Sequence, residues 1–171
     1  MAFNQPFGQR PPGPGQGSGT GGGGPRMAPV SEALKSLKQR LTVDKAGFAN
    51  DRVMELAEAL GRDLAQGFRR EKRESGKTQV RKLYGEIRAL QGKAKGGFAA
   101  IRPELRLIQA HVAYAVGRDM LTPEFKDFAD ETIKHLMAAG TTDELDRFVK
   151  FFEAVYAHFY FQTSKHGQKE G

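Results

Sequence analysis

Apolar residues recur at intervals of three and four along most of this chain, starting at Leu34. This spacing is typical of amphipathic helices, and alternating apolar and polar runs are absent, so we predict an all-α fold. The pattern defines a single compact bundle of five or six helices: from Ser31 with Leu34, Leu37 and Leu41, from Asn50 or Asp51 to about Phe68, from Thr78 to Gly96, from Pro103 to Gly117, from Thr122 to Gly140, and from Thr141 with Glu144 in a capping box.

The composition divides the chain into three parts. Residues 1–30 contain nine glycines and six prolines, and such a stretch buries too little apolar surface to offset the entropy of ordering it. We therefore expect a disordered Gly/Pro-rich tail at 1–30, a helical bundle domain at 31–165 and a flexible C-terminus at 166–171. The middle part is long enough to enclose one core.

The chain contains no cysteine, which excludes disulfides, thiolate nucleophiles and cysteine-ligated zinc. It also has no apolar run of the length that crosses a bilayer and no secretory signal at the start. These features lead us to expect a cytoplasmic protein without a membrane partner.

The charge is distributed unevenly. The chain carries a net +7, and residues 62–95 alone contribute +7, with eleven basic and four acidic residues. A concentrated basic block predicts a polyanionic partner. Residues 119–146 carry eight acids against two lysines, a net −6, and we expect this stretch to face another protein.

The third predicted helix places part of the basic block on one flank. At 100° per residue, Lys77, Arg81 and Arg88 cluster about 100° from the centre of the apolar stripe, and Lys82 lies further round. Such a row neutralises phosphates with little regard to sequence. The alternative is a merely soluble helix, which we disfavour because Glu86 is the sole acid between residues 77 and 95.

Other helices offer weaker signals. Arg118, at the end of the fourth helix, is a candidate either for a phosphate contact or for capping the last carbonyl groups. The same helix carries a second row of Leu107, His111 and Tyr114, for which we favour a place in a central core. On the last helix, Phe151 and Phe161 fall off the apolar face, so we expect aromatic surface there.

Known phosphate and metal motifs are incomplete in this sequence. Residues 76–78 resemble the end of a nucleotide-binding P-loop, but position 71 is Glu where the motif needs Gly, and no strand precedes it. The four histidines lack the spacing of metal ligands. We therefore expect no cofactor and no metal.

A cluster of acids is the remaining candidate for chemistry. Asp127, Asp130 and Glu131 lie within little more than one helical turn, and acids so placed can bind Mg²⁺ or act in acid–base catalysis. We interpret them as a solvated helix face and expect a protein without catalytic residues. A free-standing helical nucleic-acid-binding protein and a small metal-dependent nuclease are the alternatives.

Three stretches resemble one protein family, the small subunit of type III-A CRISPR effector complexes (the Csm complex). They occur in the order and spacing of the family: TQVRKLYGEIR at 78–88, PELRL through AYAVGR at 103–118, and FVKFFEAVYA at 148–157. The first has one residue fewer between Thr78 and Gln79 than the family pattern. The Gly/Pro tail is not part of that pattern.

The resemblance implies a small non-catalytic helical subunit that takes part in antiviral defence. Several copies would stack beside the backbone subunits and line the groove in which crRNA and target RNA pair. The positions expected to face RNA are Lys77, Gln79, Arg81, Lys82, Arg88 and Arg118. Of these, Gln79 rests on the resemblance alone.

Overall fold

A computed structural model describes residues 31–73 and 75–164. They form α1 (Glu32–Lys38), continued by a π-helical turn (Gln39–Val43), α2 (Asp51–Met54), α3 (Leu56–Arg70), α4 (Gly76–Lys93), α5 (Arg102–Gly117), α6 (Pro123–Ala139) and α7 (Thr142–Ser164), with 3-10 turns at Ala94–Gly96 and Phe98–Ile101. No strand occurs in these ranges, which confirms the all-α prediction. The predicted tail at 1–30 and terminus at 166–171 lie outside them.

The long α7 packs against α3 along the centre of the bundle. Gly61 permits this close approach, because a Cβ atom there would lie 2.6 Å from the Cβ atom of His158 and 2.7 Å from the carbonyl oxygen of Val155. The rings of Phe68 and Phe159 meet edge to face further along, with centroids 5.0 Å apart. The two helices therefore form the central pair of the bundle, and α4 and α6 both pack against α7.

Aromatic side chains dominate the core beside α7. The Phe152 ring lies 5.7 Å from that of Phe128 and 5.9 Å from that of Phe148. Phe151, expected at the surface, is fully buried, so that prediction is wrong. Its ring packs 5.2 Å from that of Phe48, because the segment between the π-helical turn and α2 folds over this side of α7.

Most of the predicted helix starts are confirmed. The side chains of Ser31 and Asn50 accept hydrogen bonds from the amides of the first turns of α1 and α2. Thr122 does the same for α6 through the Phe125 amide, at 3.2 Å, and Thr141 accepts from the Glu144 amide at 3.3 Å. A short polar side chain before an apolar-periodic run is thus a dependable local signal.

Two local predictions are wrong. The second helix is interrupted after Met54, and α4 begins at Gly76 instead of after Thr78. A Cβ atom at Gly76 would lie 2.0 Å from the Phe68 ring, so packing of the preceding turn fixes this start. By contrast, α5 ends at Gly117 as predicted, and Asp119, two residues further on, has a left-handed backbone (φ 58°).

The fourth predicted helix, α5, is a peripheral helix that packs on α4 and α6. Leu107 and Tyr114 are 54% and 62% exposed, so the favoured place in a central core is wrong for this face. Only the face with Leu105, Ile108 and Val112 is buried. Among the described residues, no helix is long and apolar enough to cross a membrane.

Candidate nucleic-acid interface

Helix α4 presents one apolar face to the bundle and leaves the rest of its surface open. Val80, Leu83, Ile87 and Leu90 are buried against the helices that flank it, α5 and α7. Gly85 and Gly92 lie on the opposite side, where a Cβ atom would meet nothing within 4 Å. The polar side chains of α4 therefore fall on two flanks, one next to α7 and one next to α5.

The flank next to α7 carries two exposed guanidinium groups, those of Arg81 and Arg88. Neither forms an ion pair with any acid in the described part of the chain. Between them, Tyr84 stacks on Tyr156 with ring centroids 5.3 Å apart. The positive charge of this flank is therefore available to a partner.

The pKa of the Tyr84 hydroxyl depends on the charged groups around it. Partial burial raises its pKa, the carboxylate of Glu153 raises it further, and the Arg88 guanidinium opposes both effects. Arg88 thus lies close to the aromatic pair, and its exposed side chain borders solvent on the other side. An arginine beside tyrosine rings is a common arrangement for holding phosphate or a stacked base.

Lys77 lies on the same flank but is half-buried. Its ammonium group donates a hydrogen bond to the Thr163 carbonyl oxygen at the end of α7, at 2.9 Å. A carbonyl acceptor satisfies one donor and carries no full charge, so the Lys77 cation is not neutralised.

The flank next to α5 borders a groove of about 240 Å³ whose lining includes Gln79, Lys82 and Tyr114. The Lys82 ammonium group is 3.9 Å from the Glu86 carboxylate, and both groups keep access to solvent. The Gln79 amide donates to the sulfur of Met120, at 3.4 Å. Lys82 and Gln79 are therefore adjacent but belong to a different flank from Arg81.

Arg118 joins this second flank from α5. Its guanidinium donates to the Tyr114 hydroxyl, at 3.1 Å, and lies 5.8 Å from the centre of the same ring. It does not donate to the last carbonyl groups of α5, the alternative that the sequence left open. The six predicted positions thus divide into two sets on either side of α4, with Lys77, Arg81 and Arg88 on one and Gln79, Lys82 and Arg118 on the other.

Sequence reasoning placed Arg118 of α5 at this surface but missed the neighbouring His111 and Tyr114. The Nδ1 atom of His111 lies 3.3 Å from the Glu86 carboxylate, and both residues line the groove with Tyr114. The row of Leu107, His111 and Tyr114 was visible in the sequence, but histidine and tyrosine side chains fit a solvent-exposed groove as well as a core. The packing of α5 decides between the two, because within the described residues it packs mainly on α4, α6 and the 3-10 turn at Phe98–Ile101, all on its other face.

Two of the three acids in the cluster on α6, Asp130 and Glu131, form ion pairs within the protein. Asp130 pairs with Lys126, at 2.6 Å, and accepts from Gln109. Glu131 pairs with Lys38 of α1, at 3.1 Å. Hydrogen bonding to Asp130 raises the pKa of Lys126. Across residues 31–73 and 75–164, no group of three or more acids and histidines is arranged to hold a metal ion.

The fold and the surface together define a small helical protein that exposes basic residues on both flanks of α4. The model of one protein family, described as Csm2 Type III-A, matches residues 49–165, and the chain belongs to that family. It is therefore a subunit of the type III-A CRISPR (Csm) complex, from a family of structural subunits. Searches of curated proteins and of solved structures find no match.

Proposed function

We propose that this subunit is a non-catalytic RNA-binding scaffold, which stacks in several copies along crRNA paired with target RNA in a cytoplasmic antiviral complex. The observation that carries the proposal is the exposure of Arg81 and Arg88 on α4 without an acidic partner among the described residues. Side chains placed this way bind the sugar–phosphate chain and leave the bases to pair.

The geometry of α4 supports a role as a surface and not as a pocket. Its cations lie on a helix whose apolar side is fixed in the core, so binding RNA requires no rearrangement of the bundle. Lys77, Gln79, Lys82 and Arg118 extend the contact on both sides of the same helix. Affinity then comes from several phosphates, each contributing a similar amount.

Stacking is the second part of the proposal. A head-to-tail contact between two different surfaces of the same chain propagates and does not close. Asp127 and Asp143, which form no ion pair with another described residue, suit a positively charged surface of the next copy. Native mass spectrometry should find that the number of copies rises with the length of the RNA; a constant number would contradict stacking.

The RNA contact is tested with the double variant Arg81→Ala with Lys82→Ala. Binding to a labelled single-stranded RNA, followed by fluorescence anisotropy over a range of salt concentrations, should weaken for every RNA sequence alike. The slope of log affinity against log salt should fall by about 1.4, since each lost phosphate contact removes about 0.7 on a single strand. An unchanged slope would remove both residues from the interface.

A matched control separates local contact from total charge. Arg62→Ala with Lys134→Ala also removes one arginine and one lysine from exposed positions and should leave the slope unchanged. Competition with duplex DNA distinguishes a free-standing DNA-binding protein, which would prefer the duplex. A cleavage assay with added Mg²⁺ or Mn²⁺ distinguishes a nuclease, and we expect intact RNA.

A further inference from the structure

A second basic site lies where α3 ends, α4 begins and α7 ends. It is a pocket of about 290 Å³, lined by Phe68, Arg69, Lys72, Arg73, Lys77 and Thr163. The sequence between α3 and α4 is so polar that it predicts only a solvated helix end or a loop. In the structure, Phe68 and four cationic side chains line a concave surface at this place.

Three of these four cations form no ion pair with an acid of the described residues. Arg69 and Lys77 donate to the carbonyl oxygens of Gln162 and Thr163, both at 2.9 Å, and these acceptors are neutral. Lys72 forms no ion pair with any residue of the described ranges. The pocket is therefore a strongly positive concavity that an anion would enter.

Arg73, the fourth cation, has a structural role. Its guanidinium lies 2.6 Å from the Asp119 carboxylate and 2.9 Å from that of Glu71. The hydrogen bond to Asp119, more than that to Glu71, raises its pKa. Arg73 thus ties the end of α3 to the end of α5 and fixes the wall of the pocket, while its own charge is balanced.

Lys72 occupies a position where a lysine is unfavourable. The amide of Lys72 donates to Arg69 and that of Arg73 to Phe68, the two hydrogen bonds of a Schellman motif. Lys72 then has a left-handed backbone (φ 54°), whereas the end of α6 uses a glycine, Gly140 (φ 66°), for the same purpose. A lysine there costs stability relative to a glycine, and its place in the basic pocket distinguishes Lys72 from Lys45, which has a similar backbone.

The pocket continues the α7-facing flank of α4. Lys77 belongs to both, since it lines the pocket and shares its side of the helix with Arg81 and Arg88. We propose that the pocket binds a phosphodiester group of the RNA strand that α4 holds, with Lys72 as the cation that reaches it. This inference rests on the proposed function and extends the RNA path beyond α4 to the turn that precedes it.

The test is the variant Lys72→Gly, because it should improve folding and impair binding together. Glycine relieves the left-handed backbone, so the melting temperature should rise by roughly 2–4 °C. Affinity of the full chain for a labelled single-stranded RNA should fall about threefold to tenfold at low salt, and the salt slope should drop by about 0.7. A merely structural lysine would give the first change without the second.

Lys45→Gly is the matched control. Lys45 is also an exposed lysine with a left-handed backbone (φ 51°), and it lines a pocket with Lys134 near the start of α7. The 23 residues of α7 separate the two pockets by roughly 30 Å. Lys45→Gly should raise the melting temperature in the same way and leave RNA affinity unchanged.

The outcomes separate this inference from the proposed function. Loss of affinity in Arg81→Ala with full affinity in Lys72→Gly overturns the pocket alone. An RNA affinity that neither variant changes overturns both. Inorganic phosphate that raises the melting temperature of the wild type but not of Lys72→Gly, while RNA binding stays intact in the variant, would assign the pocket to a free anion and also overturn the inference.

Discussion

Residues 62–95 and 119–146 have almost opposite charges, +7 and −6, but the fold uses them differently. In the acidic stretch, Glu124 and Glu144 are buried, and the remaining acids include several that hold partners within the bundle: Asp119 with Arg73, Asp130 with Lys126, and Glu131 with Lys38. In the basic stretch, Lys72, Arg81 and Arg88 reach solvent without such partners.

The difference follows from side-chain length and position. Glutamates in the first turns of α6 and α7 lie near helix N-termini and neighbouring segments, where a short carboxylate can satisfy buried donors. Long lysine and arginine side chains extend their charge into water even when their stems are covered. The net charge of a segment therefore indicates a binding surface only where its charged side chains form no ion pairs or hydrogen bonds within the fold.

The largest effect that would sharpen this contrast is expected at Glu144. Its carboxylate accepts from the Phe48 amide, at 2.7 Å, contacts His135 at 2.8 Å, and lies 3.4 Å from Arg147. Glu144→Ala leaves a buried amide and an imidazole without an acceptor, which should lower the free energy of unfolding by about 3 kcal/mol. Urea denaturation followed by circular dichroism measures this change.

The neighbouring acid provides the control for that prediction. Asp143 is exposed in the same turn of α7, and Asp143→Ala should change the free energy of unfolding by less than about 0.5 kcal/mol. Equal losses in the two variants would mean that the buried contacts of Glu144 do not hold the segment around Phe48. Neither variant should change the affinity for RNA.

The helical fold could be predicted because its signals are local. Leu34, Leu37 and Leu41 recur at helical spacing, and Ser31 and Thr122 cap the helices that follow them. Phe151 was misplaced because its burial depends on Phe48, which is distant in the sequence. Helical periodicity alone does not show whether a loop from elsewhere in the chain covers a residue outside the main apolar face.

The candidate site could be predicted in part for the same reason. Helical phase correctly indicated that Arg81 and Arg88 lie on an open flank. The acceptor of Lys77 lies 86 residues away and that of Gln79 lies 41 residues away, so their partial burial needed the tertiary structure. Lys72 was not among the predicted positions because its left-handed backbone and its place in the pocket are features of the folded turn, which a run of charged residues does not reveal.

A smaller effect is expected at Glu124, the other buried acid of the stretch. Its carboxylate accepts from Arg70 at 3.1 Å, and Arg70 is half exposed. Because Arg70 can turn to water, Glu124→Gln should cost only about 1 kcal/mol of unfolding free energy. Thermal denaturation should rank this variant between Glu144→Ala and Asp143→Ala. A loss as large as that of Glu144→Ala would mean that both acids are equally essential to the core.

The smallest effect is a pH dependence at Glu104, where an acid of α5 meets the last turn of the basic helix α4. A hydrogen bond from its own amide, followed by the contact with Lys93, lowers the Glu104 pKa from its usual 4.5. The folded state therefore binds this proton less readily than the unfolded state. Its stabilising contribution is complete above pH 4.5 and is lost as the pH falls through the folded value.

Glu104→Gln should consequently make the decline in melting temperature between about pH 5 and pH 3 slightly shallower than in the wild type. Lys93→Gln should retain most of the wild-type decline, because the backbone hydrogen bond has the larger influence on the pKa. If Lys93→Gln flattened the curve as much as Glu104→Gln, the ion pair would be the main cause. A basic residue of α4 would then pair with an acid of the protein itself, and the contrast between the two stretches would weaken.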